Sequence, residues 1–313
     1  MRCPVRMRSL CIGLLGLAIA VVACRRGDRW PGDLAGADVD ASHAAIRYPV
    51  HLQDDRGANV TISSEPMRIV ALLPSHTETL VALGLGSRVV GVDDYSDLPP
   101  EMSRLPRLGG LFDTQLEVVL SLKPDLVLMS ETNPAAAALE RSGISVWAGS
   151  ARTFDDVFRV IEAIGTIVGK SFEARQLSAQ IVAEVVSIEE RIRGVDRVRV
   201  YYEIDANLYT VGPTSFIGVM LDKAGGVNIV PAGLGDFPKI SPEAVISGNP
   251  TIILGVSLEE AAKRPGWSQI AAVQTGRVYK LPKVESQLIV HPGPRIADGL
   301  RVLVRRLHPA VHL

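Results

Sequence analysis

The side chains here whose type and spacing could support chemistry are six histidines, three cysteines and a matched pair of glutamates. A metal cage needs three or more converging ligands. His43 falls in a Gly/Ala/Asp-rich stretch, His51 in a predicted hairpin, and His308 and His312 at the C-terminus, so the spacing offers no such set. His76 and His291 differ, because each follows a predicted strand at the edge where open α/β sheets bind ligands. The aromatics Tyr95, Phe112 and Phe237 fall in comparable strand-to-helix loops and could wall an apolar cleft. Enzyme signatures are missing: there is no G-x-S-x-G elbow, no P-loop and no H-E-x-x-H. The glycines of 84–91 come after a helix and before a strand, the wrong order for cradling a pyrophosphate.

The glutamates belong to an internal echo. Leu116-Glu-Val-Val-Leu-Ser-Leu-Lys-Pro-Asp-Leu-Val-Leu128 and Pro242-Glu-Ala-Val-Ile-Ser-Gly-Asn-Pro-Thr-Ile-Ile-Leu254 share Glu, Val, Ser, Pro and Leu at identical spacing. Each copy predicts a short helix that stops before proline, followed by a buried strand. A carboxylate in the first turn suits the helix dipole. Two of them, Glu117 and Glu243, one per lobe, could also dock onto basic residues of a two-fold partner.

The elements that would position these groups alternate. After a hairpin at 46–64, short apolar runs at 68–74, 89–93, 126–129 and 146–147 alternate with amphipathic ones. That alternation predicts βα units and a mostly parallel sheet. Ser75-His-Thr-Glu78 has the form of a capping box opening a helix. Strands resume at 198–203, 208–211, 251–254 and 278–281, and a helix closes the chain from about 294 to 307. The expected fold class is therefore α/β: two Rossmann-like lobes with mostly parallel sheets, joined by one long helix, with a ligand cleft between them. The expected partition is a leader at 1–23, a flexible tether at 24–45, an N-terminal lobe at 46–170, an interdomain helix at 171–193 and a C-terminal lobe at 194–313.

Composition narrows the function classes. In 313 residues, 33 Lys and Arg stand against 34 Asp and Glu, and aromatics are 5%, which argues against a nucleic-acid partner. Cys3, Cys11 and Cys24 all precede residue 25, so the body holds no disulfide, cysteine–metal site or thiol nucleophile. Arg2, Arg6 and Arg8 ahead of the apolar run 10–22 form a secretory leader too short to span a bilayer comfortably. Val21-Val-Ala-Cys24 resembles a bacterial lipobox, making Cys24 the expected lipidation site of a protein anchored to the membrane rather than spanning it.

With these residues assembled, the chain resembles the periplasmic binding proteins of ABC importers. More narrowly, it resembles the group with a single rigid interdomain helix, the receptors for vitamin B12, haem and iron–siderophores. The resemblance is carried by Arg68-Ile-Val-Ala-Leu-Leu-Pro-Ser-His-Thr-Glu78, Ala82-Leu-Gly-Leu-Gly-Ser-Arg-Val-Val-Gly-Val92, Tyr95-Ser-Asp-Leu-Pro-Pro100 and Gly109-Gly-Leu-Phe112. Leu122-Lys-Pro-Asp-Leu-Val127, Ala224-Gly-Gly-Val-Asn-Ile229 and Gly293-Pro-Arg-Ile-Ala-Asp-Gly-Leu300 complete it, in family order. Tyr95 to Pro100 and the Tyr202-Glu-Ile-Asp205 stretch look most like the cobalamin-binding branch, although Leu111-Phe112 stands where that branch often has a Trp.

The resemblance implies a monomeric receptor, not an enzyme, held in the periplasm or on the outer face of the cell membrane. It implies capture of a metal chelate (cobalamin, haem or a ferric siderophore) with no resident cofactor. It also implies that Glu117 and Glu243 dock onto arginines of a two-subunit ABC permease. His76, Tyr95, Phe112, Phe237 and His291 are then the expected ligand contacts. The competing classes are an envelope α/β enzyme, which would need a positioned nucleophile–base pair, and a free-metal receptor, which would need more histidine and carboxylate ligands.

Overall fold

The computed structural model describes residues 47–313. The expectations placed on the leader 1–23, the lipidation site Cys24, the tether 24–45 and His43 lie outside the described residues. The body opens with an antiparallel hairpin, β1 (Val50–Gln53) and β2 (Asn59–Ile62), paired Val50 to Ile62. In its turn the Asp54 carboxylate accepts from the backbone N–H groups of Arg56 and Ala58, both at 3.0 Å, an Asx-type turn closed by Gly57 at φ +79°.

Two four-stranded parallel sheets follow. The first holds β3 (Ile69–Ala71), β4 (Val89–Val92), β5 (Leu126–Met129) and β6 (Ser145–Ala148) in the order β4-β3-β5-β6. The second holds β7 (Val198–Tyr202), β8 (Gly226–Asn228), β9 (Ile252–Leu254) and β10 (Val278–Tyr279) in the order β10-β9-β7-β8. Counted within its own lobe, each sheet runs second, first, third, fourth. The two lobes thus share a topology as well as the echoed segments. In both copies the echo supplies the helix that precedes the third strand: Leu116–Ser121 before β5 and Pro242–Gly248 before β9. The strands β3, β5 and β9 are buried along their whole length, as parallel strands covered by helices on both faces must be.

Two local expectations fail. The helix expected from a capping box is Pro74–Ala82, with Leu73 as its N-cap and no side-chain cap. Proline at the first helical position needs no N–H partner there, and Glu78 is engaged elsewhere. The strand expected at 208–211 is not a sheet strand. Leu208 sits at φ +65° and turns the chain, so Thr210 makes only an isolated antiparallel bridge to Glu203, and β8 takes the edge position instead.

The lobes are connected by the helix Ser171–Arg191, about 32 Å long at 1.5 Å per residue. Its buried stripe is Ala174, Ser178, Ile181, Val185 and Ile188, at the three-to-four spacing of one helical face. It packs on the helix Asp156–Ile167 of the first lobe and on the closing helix Ile296–Leu307 of the second. The approach at Gly165 is so close that a Cβ there would lie 2.2 Å from the Cβ of Ala174. Arg301 to Glu184 at 2.7 Å and Lys223 to Glu189 at 3.0 Å tie the second lobe to the same helix. Phe154, ahead of the helix Asp156–Ile167, stacks on Phe216 of the second lobe with centroids 6.4 Å apart. No helix among the described residues is long and apolar enough to cross a membrane.

Candidate functional site

At the carboxyl ends of β7, β9 and β10 the second lobe opens into a hollow of about 760 Å³. Tyr202, Glu203, Ile204, Asp205 and Tyr209 come from the end of β7 and the chain that follows. Gly255 follows β9, and Lys280 and Leu281 follow β10. Ile217 sits on the helix Phe216–Lys223, while Ser286 and Val290 project from the helix Lys283–Val290. Phe237, from the loop after β8, completes the wall. Strand ends are where open α/β sheets leave room for a ligand, and Phe237 is the expected contact that lines this hollow.

The charge of the hollow is settled by two pairs. Glu203 is buried, and Arg264 reaches it with both guanidinium nitrogens, at 2.5 and 2.7 Å. Arg264 also lies over the Trp267 ring, 4.4 Å from its centroid. A fork-to-fork pair of this kind consumes the guanidinium, so Arg264 offers no free cation to a ligand. Lys280 Nζ lies 3.5 Å from Glu260. With Asp205 added, the wall carries no surplus of positive charge.

On the first lobe, Tyr95 and Phe112 project from neighbouring turns and are 65% and 75% exposed; Phe237 is 58% exposed. Tyr95 is held by the buried Asp93, whose carboxylate accepts from the backbone N–H of Tyr95 at 2.7 Å and of Ser96 at 2.9 Å. Burial pushes the Asp93 carboxyl up from its ordinary range, opposed by those hydrogen bonds. Arg107 fastens the same turn from outside by donating to the carbonyls of Asp93 and Ser96. Gly110 lets the two aromatic turns approach, since a Cβ there would meet the Tyr95 ring at 3.1 Å. Tyr95 and Phe112 do not line the hollow of the second lobe.

The two histidines expected at the cleft edge differ: the buried ring of His76 is at odds with a ligand contact, whereas His291 is partly exposed and pairs through Nδ1 alone. His76 is fully buried in the first turn of Pro74–Ala82, its Nε2 2.9 Å from the Gly149 carbonyl and its ring 5.8 Å from the Trp147 ring. Burial lowers its pKa to about 4, against the opposing pull of that carbonyl and of more distant carboxylates, so it is a neutral core group. It shares a helix face with Leu80, four residues on and equally buried. The His291 side chain is 12% exposed and turned to the first lobe, where its Nδ1 lies 3.1 Å from Glu78 Oε1. Among the described residues, no group of three or more His, Cys, Asp or Glu is placed to hold a metal ion.

Glu117 and Glu243 are exposed, each the second residue of the echoed helix in its lobe. At the second copy Ser241 caps the helix by accepting from Ala244 N–H. The Glu243 backbone N–H and the Ser241 hydroxyl hold the Glu243 carboxyl below the usual carboxylate range. The residues that motif reasoning did not single out are Arg264 and Lys280, while Glu78 was marked as part of a capping box and instead pairs with His291. Glu203 stood inside the quoted Tyr202-Glu-Ile-Asp205 stretch, but its partner lies 61 residues away and left no local signal.

Residues 69–285 match the periplasmic binding protein family. The chain is 34% identical over 286 residues to the uncharacterized ABC transporter substrate-binding lipoprotein YvrC of Bacillus subtilis, covering 87% of this chain and 90% of that one. It is 30% identical over 321 residues to a cobalamin-binding protein of Halobacterium salinarum, covering 97% and 85% respectively. Its fold is similar to the apo periplasmic heme-binding protein RhuT of Roseiflexus sp. RS-1, with TM-score 0.70 and 27% identity over 80% of this chain and all of that one.

Proposed function

This chain is an ABC transporter substrate-binding protein of the periplasmic binding protein family, and we propose that the ligand it captures is a corrinoid. The family is one of binding proteins, not enzymes. The observation that carries the choice of ligand is the character of the cleft walls. Three large aromatics, Tyr95, Phe112 and Phe237, stand more than half exposed at strand-end loops. Exposed apolar groups of that size mark a binding surface. The hollow beside Phe237 is lined by Glu203 and Asp205 against the single cation Lys280, which lies 3.5 Å from Glu260, and the nearby Arg264 is committed to Glu203, so its wall carries no excess of positive charge. An anionic ferric siderophore or the propionates of haem would find little to pair with there. A broad, amide-rimmed corrinoid takes apolar area and hydrogen bonds instead. The position of His76 also weighs against a haem held by that histidine, since its ring is fully buried with Nε2 on the Gly149 carbonyl. The similarity to a cobalamin-binding protein along nearly the whole chain supports the same choice.

Around that site the rest of the receptor follows. Cys24 is the lipid anchor, the residues up to 45 are the tether, and the lobes 46–170 and 194–313 flank the interdomain helix 171–193. Glu117 and Glu243 occupy equivalent exposed positions in two lobes of one topology, which suits docking to two like permease subunits. The test is titration of the protein with cyanocobalamin, haem and a ferric hydroxamate, followed by intrinsic fluorescence. Saturable binding of the corrinoid alone supports the proposal, and preference for either iron chelate overturns it.

A further inference from the structure

Besides the connecting helix, the stack of Phe154 on Phe216 and Lys223 over the Phe154 ring, the lobes meet at a polar seam. The segment His291-Pro-Gly-Pro-Arg295 of the second lobe lies against the helix Pro74–Ala82 of the first. His291 Nδ1 donates to Glu78 Oε1 at 3.1 Å, with the two side chains 12% and 11% exposed. Gly293 fits the seam because it has no side chain: a Cβ there would lie 3.1 Å from both Ser75 Cβ and Glu78 Oε2. Gln287 Nε2, one helical turn earlier, reaches the Tyr95 carbonyl at 3.4 Å.

The seam runs between two voids. On one side is the ligand hollow, bordered by Ser286 and Val290 of the helix that leads into His291. On the other is a hollow of about 420 Å³ among Val81, Leu98, Leu177 and Pro294. Close packing would fix the lobe separation by itself. With a void on either side, the polar bridge shares that task with the connecting helix and the close contact at Gly293. The Phe154–Phe216 stack resists separation but tolerates sliding, as ring contacts without hydrogen bonds do.

We propose that Glu78 and His291 are positioning residues for ligand capture, a latch that holds the lobes at the separation where both cleft walls reach one ligand. This rests on the two-lobed binding-protein fold and not on the choice of chelate. Losing the bridge lets the lobes turn on the helix and the aromatic stack. Apparent affinity then falls by the fraction of molecules left in the competent arrangement. A hydrogen bond to a largely desolvated carboxylate is strong enough to make that loss roughly tenfold. The latch is also incomplete: Glu78 Oε2 is buried without a partner. A planar guanidinium presents two parallel donors to a carboxylate, so arginine at 291 should engage both oxygens.

The test uses the full chain with Cys3, Cys11 and Cys24 changed to serine. Spin labels are placed at Ser121→Cys and Ser247→Cys, exposed positions on the two echoed helices. Pulsed dipolar spectroscopy then reads the interlobe distance without ligand. The parent should give one narrow distribution. His291→Ala and Glu78→Ala should each broaden it to similar extents, their combination should add nothing further, and His291→Arg should restore the narrow form. Circular dichroism checks each variant, so loss of fold in one alanine arm leaves the other to decide. Folded alanine variants that superimpose on the parent, or an arginine variant that behaves like alanine, overturn the latch. A second readout is cyanocobalamin affinity, expected to weaken about tenfold in the alanine variants. If the parent itself does not bind cyanocobalamin, the ligand choice fails while the distance measurement still decides the latch.

Discussion

Replacing His76 with glutamine removes a titrating group from the core while keeping a donor for the Gly149 carbonyl, and its effect can be worked from the burial of the ring. In the folded chain the imidazole stays neutral until the pH falls to about 4. In the unfolded chain it takes up a proton near pH 6.5. Between those values the unfolded state binds more protons, so this group's contribution to stability is complete above about pH 6.5 and is lost as the pH falls towards 4. A displacement of that size corresponds to about 3 kcal/mol at pH 4, since each pH unit is worth about 1.4 kcal/mol. Against a typical net stability of about 5–15 kcal/mol, that is a visible part of acid sensitivity. Urea unfolding at pH 7, 6, 5 and 4 reads it directly. The wild type should lose about 3 kcal/mol more than His76→Gln over this range, whatever the variant's stability at pH 7. Ligand affinity at pH 7 should be unchanged in the folded variant. Parallel pH profiles for the two proteins would refute the neutral buried histidine. Loss of ligand binding in a variant of normal stability would return His76 to the site.

Three further expectations concern binding, transport and anchoring. Phe112→Ala and Phe237→Ala should each weaken ligand binding by about 1–3 kcal/mol by calorimetry, the range for truncating an aromatic anchor, with melting temperatures almost unmoved because both side chains are exposed. Glu117→Arg with Glu243→Arg should abolish uptake in vesicles carrying the permease while leaving ligand affinity within a few-fold; a collapse of affinity would place the glutamates in the pocket. Cys24→Ser should move the protein from the membrane fraction to the soluble fraction, and a variant that still pellets with membranes contradicts the lipid anchor.

Elements specified by local pattern were legible in the sequence, and contacts between distant segments were not. The fully buried runs of β3, β5 and β9 are apolar without interruption, and the echo around Glu117 and Glu243 anticipates the shared order of the two sheets. His76 was misjudged because strand-end position says where a residue sits and not which way it points. Its spacing of four from Leu80 already marked the inward face of the helix. Residues 208–211 have the alternation of a strand, yet the left-handed turn at Leu208 is a backbone state that a leucine side chain does not advertise. The pairing of Glu78 with His291 spans 213 residues, and that of Glu203 with Arg264 joins a strand end to a loop. Neither is encoded in any local period.

Isothermal calorimetry of the purified full chain with cyanocobalamin, beside haem and a ferric hydroxamate, tests the corrinoid assignment most directly. The wall chemistry predicts one saturable site for the corrinoid, weakened in Phe237→Ala, with a visible spectrum that His76→Ala leaves unaltered because that ring is buried in the core. Clear heat from haem or the ferric hydroxamate, with none from cyanocobalamin at millimolar concentration, would contradict it.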